Sequence, residues 1–123
     1  MLLEFPSHVF TKAWFEEWGE ENWGWATELL NKLVQHEPES AWQLINELIL
    51  EAQDDEELGC VAAGPLEDLL SVHGSQFVER VEHASGSSER FQRCLAGVWG
   101  QSRFSSSVYE RIQKSLGRPR ADR

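Results

Sequence analysis

The sequence predicts an all-α fold, a compact bundle of about six or seven short helices packed as antiparallel hairpins, as in helical-repeat proteins. Apolar residues recur at three- and four-residue spacing along the chain, and no segment alternates apolar and polar residues for long enough to indicate a strand. Clusters of Gly, Pro and Ser separate these segments by short connections, which favours antiparallel neighbours. No sequence repeats at a fixed period, so a bundle is expected rather than a solenoid.

The chain's size and composition are those of one globular domain. It has 123 residues, of which 41% are hydrophobic and 26% charged, and a single domain over 1–123 is expected. No apolar run is long enough to span a membrane, which takes about 18 residues. The start, MLLEFPSHVFTK, has no basic leader, so no signal peptide and a cytoplasmic location are expected.

Two helices are predicted in the first third of the chain. The first is predicted from about Thr11 to Trp18, with Thr11 as its N-cap and Gly19 as its stop. The second is predicted from about Glu20 to His36. Its inward stripe is expected to comprise Trp23, Ala26, Leu30, Leu33 and Val34.

Pro38 is expected to break the chain, and Ser40 to cap a third helix over about 41–53. Asp54-Asp55 ends that helix and can cap the next one. The third helix carries the clearest apolar stripe in the sequence, formed by Ala41, Leu44, Ile45, Leu48, Ile49 and Ala52.

The second half of the chain predicts four further elements. The fourth covers about 56–73 and ends at Gly74, and Ser75 begins a fifth that stops at the Ser85–Ser88 loop. Ser88 caps a sixth, and a last helix covers about 106–116, before a frayed basic tail over about 117–123. The expected inward residues are Phe77, Val78, Val81, Ala84, Phe91, Cys94, Leu95, Val98, Trp99, Val108, Ile112 and Leu116.

The stretch LGCVAAGPLEDLL, residues 58–70, contains a Gly-Pro pair inside a helical pattern. A proline in a helix interior costs about 3 kcal/mol, but the cost disappears if Pro65 is the first residue of a new helix. The sequence therefore predicts two helices, about 56–63 and 65–73, that meet at an angle at an elbow. Glu67 then lies in the first turn, where it can accept from free N–H groups. The small residues before Pro65 would let another helix approach closely.

A functional alternative for the elbow is a ligand or catalytic site. In that hypothesis Glu67, Asp68 and His73 line a groove between helices. Adjacent carboxylates on a helix point about 100° apart, so Glu67 and Asp68 do not form a paired acid/base site by themselves.

Four of the six tryptophans, Trp14, Trp18, Trp23 and Trp25, lie close together among acidic residues. One interpretation is that these aromatics pack into the core. The alternative is a partner surface, since tryptophan is a favoured interface anchor and its ring attracts Arg and Lys. The residues assigned to this surface are Trp14, Glu16, Glu17, Trp18, Glu20, Glu21 and Trp25.

The formal net charge of −10 is unevenly distributed. Residues 1–60 hold 14 acids and two lysines, whereas residues 61–123 hold seven acids and nine basic residues. Such a balance disfavours nucleic acid and anionic membranes, and favours a basic partner. Cys60 and Cys94 are expected to be free thiols, and the ligand spacing of a metal site is absent, so no cofactor or metal is expected.

Three motifs stand out between residues 41 and 99: the Ala-Gly-Pro-Leu-Glu-Asp-Leu-Leu run over 63–70, His73-Gly74, and the segment from Phe91 to Trp99. With these motifs the stretch resembles a bacterial domain family of unknown function. The resemblance implies a small helical bacterial domain and no particular activity.

No catalytic motif is present, so a non-enzymatic role is expected. The leading hypothesis is an acidic binding protein that docks a basic protein partner, most concretely an immunity or inhibitor protein that neutralises a bacterial toxin or effector. The alternatives are a self-associating structural or regulatory module, and a small-molecule binder or enzyme that uses the elbow residues. Either a monomer or a homodimer is compatible with the sequence.

Overall fold

The computed structural model describes residues 7–100 and 102–117, and in these ranges the protein is all helical, as predicted. The described residues contain no strand, and none of their helices is both long and apolar enough to cross a membrane. The predicted frayed tail falls outside them, except for Gly117. The elements are α1 (Ser7–Glu20), α2 (Trp25–His36), α3 (Pro38–Glu51), α4 (Asp55–Val61), a π-helical segment (Ala62–Leu66), α5 (Glu67–Ser87), α6 (Glu89–Leu95) and α7 (Ser106–Ser115).

The boundaries of α1 and α2 differ from the prediction. Thr11 is not an N-cap, because it lies inside α1 and its hydroxyl donates to the carbonyl of His8 at 3.3 Å. Glu20 belongs to the end of α1 and not to the start of α2. Glu21 has φ = 52°, a left-handed conformation that ends α1 and turns the chain before α2 begins four residues later.

The junction between α2 and α3 depends on a proline and a distant histidine. Pro38 starts α3 at its first position, where its missing N–H costs nothing, so Ser40 lies inside the helix and is not its cap. The carbonyl of Val34 lies in the last turn of α2, where no further backbone N–H of that helix is available to it. His73 fills this position, since its Nε2 donates to the Val34 carbonyl over 2.8 Å.

The core is formed by the predicted apolar stripes, and α5 lies against α2, α3, α6 and α7. All six stripe residues of α3 are buried, as are Phe77, Phe91 and Ile112 from later helices. Asp54 and Ser88 cap α4 and α6 as predicted, accepting from backbone N–H groups three residues later at 2.8 and 3.1 Å.

Two tryptophans predicted to face the core are exposed instead. Trp23 is 64% exposed and Trp99 is 83% exposed. Both stripes were extended beyond the ends of their helices: Trp23 precedes α2, and Trp99 follows the end of α6 by four residues. Outside a helix the 3.6-residue period no longer determines which way a side chain points.

The predicted break at the elbow is wrong, because the helix continues through Pro65. From α4 through the π segment into α5 the backbone stays helical, and the N–H of Glu67 bonds to the carbonyl of Ala62, five residues earlier. The wider π turn relieves the clash that a proline ring has with the carbonyl four residues before it. The real bend comes at His73, whose φ and ψ of −126° and 28° are not helical.

Close contacts require small residues at the elbow, as predicted, and also at this bend, which was not predicted. A Cβ on Gly64 would lie 3.0 Å from the Trp18 ring, and one on Gly74 would lie 3.2 Å from Val108 of α7. Gly64 therefore allows α1 to pack directly on the π-helical segment, and Gly74 allows α7 to pack directly on α5.

Candidate functional site

The residues that the sequence assigned to a partner surface lie partly in the core and partly on the surface of the protein. Trp14 is only 1% exposed and belongs to the core, so its assignment to a binding surface is wrong. Trp18 is half-buried and lies between Trp14 and Trp23, with ring centroids 5.2 and 5.8 Å away. These three indoles form a stack that leads from the core to the surface.

Glu17, also assigned to the partner surface, is instead the cap of α2. Its carboxylate accepts from the backbone N–H groups of Gly24, Ala26 and Thr27 at 2.9, 3.1 and 2.8 Å. Gly24, the residue at the N-cap position, has no side chain to do this, so an acid from α1 satisfies the free donors of α2. Burial opposes ionisation of this carboxyl, but hydrogen bonds from Thr27, Gly24 and Ala26 outweigh it, so its pKa is lowered.

Because the pKa of Glu17 is lower in the folded state, its charge stabilises the fold above the unfolded value of about 4.3. That contribution is lost as the pH falls through the folded pKa. We expect Glu17→Gln to lower the free energy of unfolding by about 1–2 kcal/mol at pH 7, and by less at about pH 3. Urea denaturation at both pH values measures this. The neighbouring Glu16→Gln should have little effect at either pH, and an equal loss from both variants would contradict the capping role.

The remaining residues form an exposed acidic surface, which comprises Glu16, Glu20, Glu21, Trp23 and Trp25. All five are exposed, Trp25 to 49%. Within the described ranges, none of these three carboxylates takes part in an ion pair with the protein's own cations. Trp23 was not among the residues assigned to the partner surface, but its exposure adds it to this surface. Its position in the tryptophan-rich segment was the only sequence signal for that role.

All the described arginines form hydrogen bonds or ion pairs with other residues of the protein. Arg80 forms a bidentate pair with Glu39 at 2.6 and 2.7 Å, Arg93 pairs with Asp55, and Arg111 pairs with Glu82. Arg90 donates to the carbonyls of Ile49 and Ala52 at the end of α3. The arginines of residues 61–117 thus make contacts with other parts of the protein, and none of them pairs with the acidic surface.

Glu67 and Asp68 of the elbow are joined by Arg103, a residue that the sequence analysis did not single out. Arg103 donates to Glu67 at 2.8 Å, to Asp68 at 3.0 Å and to the Ser71 hydroxyl at 2.8 Å. These hydrogen bonds, first that to Asp68 and then that to Glu67, raise the pKa of Arg103. Glu67 therefore does not cap its own helix: its other oxygen accepts from the backbone N–H of Trp99 at 3.0 Å.

The three predicted elbow residues do not form one site. His73 is bonded to the Val34 carbonyl, whereas Glu67 and Asp68 are bonded to Arg103. The cluster of Glu67, Asp68, Ser71 and Arg103 fixes the loop after α6. That loop presents Trp99, which is highly exposed although its backbone is held.

A small cavity lies beside the elbow, and we call it the elbow cavity. Its volume is about 250 Å³. The π segment contributes residues 63–65 to its wall, and the other lining residues are Trp14, Trp18, Trp23, Thr27, Asn31 and Asp68. The cavity thus connects the tryptophan stack with the acidic residue pair, two features that the sequence analysis treated separately.

One residue of this wall carries a buried polar atom without a hydrogen-bond partner in the described part of the chain, the indole Nε1 of Trp18. An unpaired buried donor costs about 1–3 kcal/mol, and folded proteins contain few of them. The Thr27 hydroxyl, which is also buried here, lies beside the Glu17 carboxylate and hydrogen-bonds to it.

The cysteines show no sign of reactivity. Cys60 and Cys94 are both free. Burial raises the pKa of the Cys94 thiol to about 12, and its Sγ lies 3.5 Å from the carbonyl of Leu58. Across residues 7–100 and 102–117, no group of three His, Cys, Asp or Glu side chains is placed to hold a metal ion.

Comparison with known proteins identifies one family model, described as a family of unknown function (DUF6869), which matches residues 15–119. The match extends beyond the predicted range of 41–99 and includes most of the tryptophan-rich segment. It confirms the predicted resemblance to an uncharacterised domain family, while the diagnostic motif and the bacterial origin stay predictions. No curated protein matches the chain, and no solved structure does.

Proposed function

Because this chain belongs to DUF6869, a family of unknown function, we propose a function from its surface: it is a non-catalytic acidic protein that docks a basic protein partner. The observation that carries the proposal is the acidic surface of Glu16, Glu20, Glu21, Trp23 and Trp25. It combines carboxylates that form no ion pair with any cation of residues 7–100 and 102–117 with two exposed indoles. Clustered charge of one sign steers an oppositely charged partner, and desolvated tryptophans anchor it.

The internal use of the arginines supports the same proposal. The five described arginines all contact other groups of the protein, so none of them neutralises Glu16, Glu20 or Glu21. We expect the acids to determine mainly the association rate and Trp23 and Trp25 the dissociation rate.

The more specific form of the proposal is a bacterial immunity or inhibitor protein that neutralises a basic toxin or effector in the cytoplasm. A small helical domain with a net charge of −10 suits tight, steered binding to a cationic target.

The test is salt-dependent capture of the partner from a lysate of the source organism, with charge-reversal variants. The test variant is Glu16→Lys/Glu20→Lys/Glu21→Lys, which leaves the capping residue Glu17 intact. The control variant, Glu47→Lys/Glu79→Lys/Glu89→Lys, changes the net charge equally on other helices. The wild type and control should retain a basic protein that is released at about 0.3–0.5 M salt, and the test variant should associate at least about tenfold more slowly.

Equal retention by the wild type and both variants would contradict the proposal, since the acidic surface would then not take part in binding. Recovery of further copies of this protein, with no basic partner, would also contradict the proposal. In that case light scattering should detect a homodimer, and Trp23→Ala, Trp25→Ala and Trp99→Ala would identify which exposed indole it buries.

A further inference from the structure

Trp99 is far more exposed than the chain on either side of it. Among residues 7–100 and 102–117 it is the large apolar residue with the highest exposed fraction, 83%, and Leu50 follows at 68%. Its neighbours Val98 and Gly100 are both buried. The loop after α6 therefore packs against the protein through its other residues and leaves its largest apolar side chain in water.

Contacts on both sides of Trp99 fix the backbone from which this indole projects. The N–H of Trp99 donates to Glu67 at 3.0 Å, and Glu67 in turn accepts from Arg103 at 2.8 Å. The carbonyl of Gly100 accepts from the N–H groups of Arg103 and Phe104 at 3.0 and 2.8 Å. A Cβ on Gly100 would overlap the Phe104 ring, so the chain can pass this close only with glycine there. The loop thus holds Trp99 in place before any partner arrives.

An exposed indole on a fixed backbone has the properties of an interface anchor. Tryptophan is enriched among the few residues that supply most of the binding energy of protein interfaces. Association costs less free energy when the loop that carries the anchor is already ordered. Burial of an indole also removes a large apolar area from water, and this gain is not realised within the described part of the chain, where Trp99 stays exposed.

The surface around Trp99 adjoins the acidic surface through the elbow cavity. Trp23 belongs to the acidic surface and also to the cavity wall, which includes Asp68. Asp68 pairs at 3.0 Å with Arg103, which lies in the same loop as Trp99. A specific interface buries about 800 Å² of each protein and involves about 20–30 residues a side, far more than the acidic surface alone provides. A partner docked on the acidic surface therefore has to cover adjoining surface as well.

We propose that Trp99 is a second anchor for the basic protein partner, which extends from the acidic surface across the elbow cavity to the loop after α6. The partner is the one of the proposed function, on which this assignment rests. It needs cations that meet the acidic surface and, separated from them by the width of the elbow, an apolar pocket for the indole. A second copy of this chain fits poorly, because two chains of net charge −10 repel each other.

Binding kinetics against the basic protein recovered in the salt-dependent capture test the assignment. Trp99→Ala should dissociate at least about tenfold faster than the wild type, with the same association rate and salt dependence. The matched control is Leu50→Ala, which removes an exposed apolar side chain of α3 and should bind like the wild type. Both variants should keep the thermal unfolding transition of the wild type, since both side chains are largely exposed.

The two proposals fail in different ways. Unchanged dissociation of Trp99→Ala, together with slower association of Glu16→Lys/Glu20→Lys/Glu21→Lys, would overturn the second anchor and leave the acidic surface as the docking site. Equal acceleration of dissociation in Trp99→Ala and Leu50→Ala would also overturn the second anchor. Retention of no basic protein by the wild type would overturn both proposals.

Arg103→Gln tests whether the fixed loop contributes to binding. This substitution removes the guanidinium that joins Glu67, Asp68 and Ser71, and it makes the chain more negative by one charge. Charge alone should then strengthen the attraction to a basic protein, whereas a loosened loop should speed dissociation in spite of it. We expect faster dissociation, with faster amide hydrogen exchange at Trp99. Dissociation as slow as that of the wild type would overturn the role of the fixed loop.

Discussion

Trp14→Ala is expected to lower the free energy of unfolding by about 3–5 kcal/mol, the largest effect of any substitution considered. Trp14 is 1% exposed and packs against Phe15 and Trp18, with ring centroids 5.2 Å away in both cases. Removing its indole leaves a large cavity between α1 and the rest of the core. Urea or thermal denaturation measures the loss, which corresponds to a fall in Tm of about 10 °C or more.

Trp23→Ala is the matched control, because it removes the same side chain from an exposed position in the same stack. We expect it to change the free energy of unfolding by less than about 1 kcal/mol. A similar loss in both variants would show that Trp23 contributes to the core, and would remove it from the acidic surface.

Glu67→Ala is expected to be the second most damaging change, at about 2–4 kcal/mol. It leaves the N–H of Trp99 without its acceptor and deprives Arg103 of one of its two carboxylates. The side chain of Glu67 is only 11% exposed, so water replaces these contacts poorly, whereas Arg103 at 43% exposed is partly rehydrated. Denaturant titration gives the magnitude.

A local measurement at Trp99 separates the proposed role of Glu67 in fixing the loop from a general loss of stability. If Glu67 fixes the loop after α6, the variant should show faster amide hydrogen exchange and altered fluorescence at Trp99 before global unfolding. Glu79→Ala, an exposed acid on the same helix, should affect neither property. Unchanged exchange at Trp99 in Glu67→Ala would mean that the loop is held by other contacts.

Helical periodicity was sufficient to predict most of the core. The stripe of α3 is buried in full, and the caps at Asp54 and Ser88 are where short-range chemistry places them. These features depend on residues within one or two turns of each other, so a linear pattern contains them. The same pattern wrongly placed Trp23 and Trp99 in the core, because it does not show where a helix ends.

The candidate sites depend on contacts between distant residues. Arg103 meets Glu67 from 36 positions away, and Glu17 caps a helix other than its own. Likewise, Pro65 is accommodated inside a helix by a π turn, and Trp18 of α1 packs on Gly64 beside it. Tertiary contacts of this kind have no periodic signal, so the elbow cavity was not predictable from the sequence although most of its lining residues were noticed.

The hydrogen bond between His73 and the carbonyl of Val34 also has an evolutionary consequence. A side chain on α5 performs, at the end of α2, a task that backbone amides perform in a helix interior. A member of DUF6869 without an imidazole at position 73 must satisfy that carbonyl with another side chain or with water. Position 73 should therefore vary across the family mainly among residues whose side chains can donate a hydrogen bond.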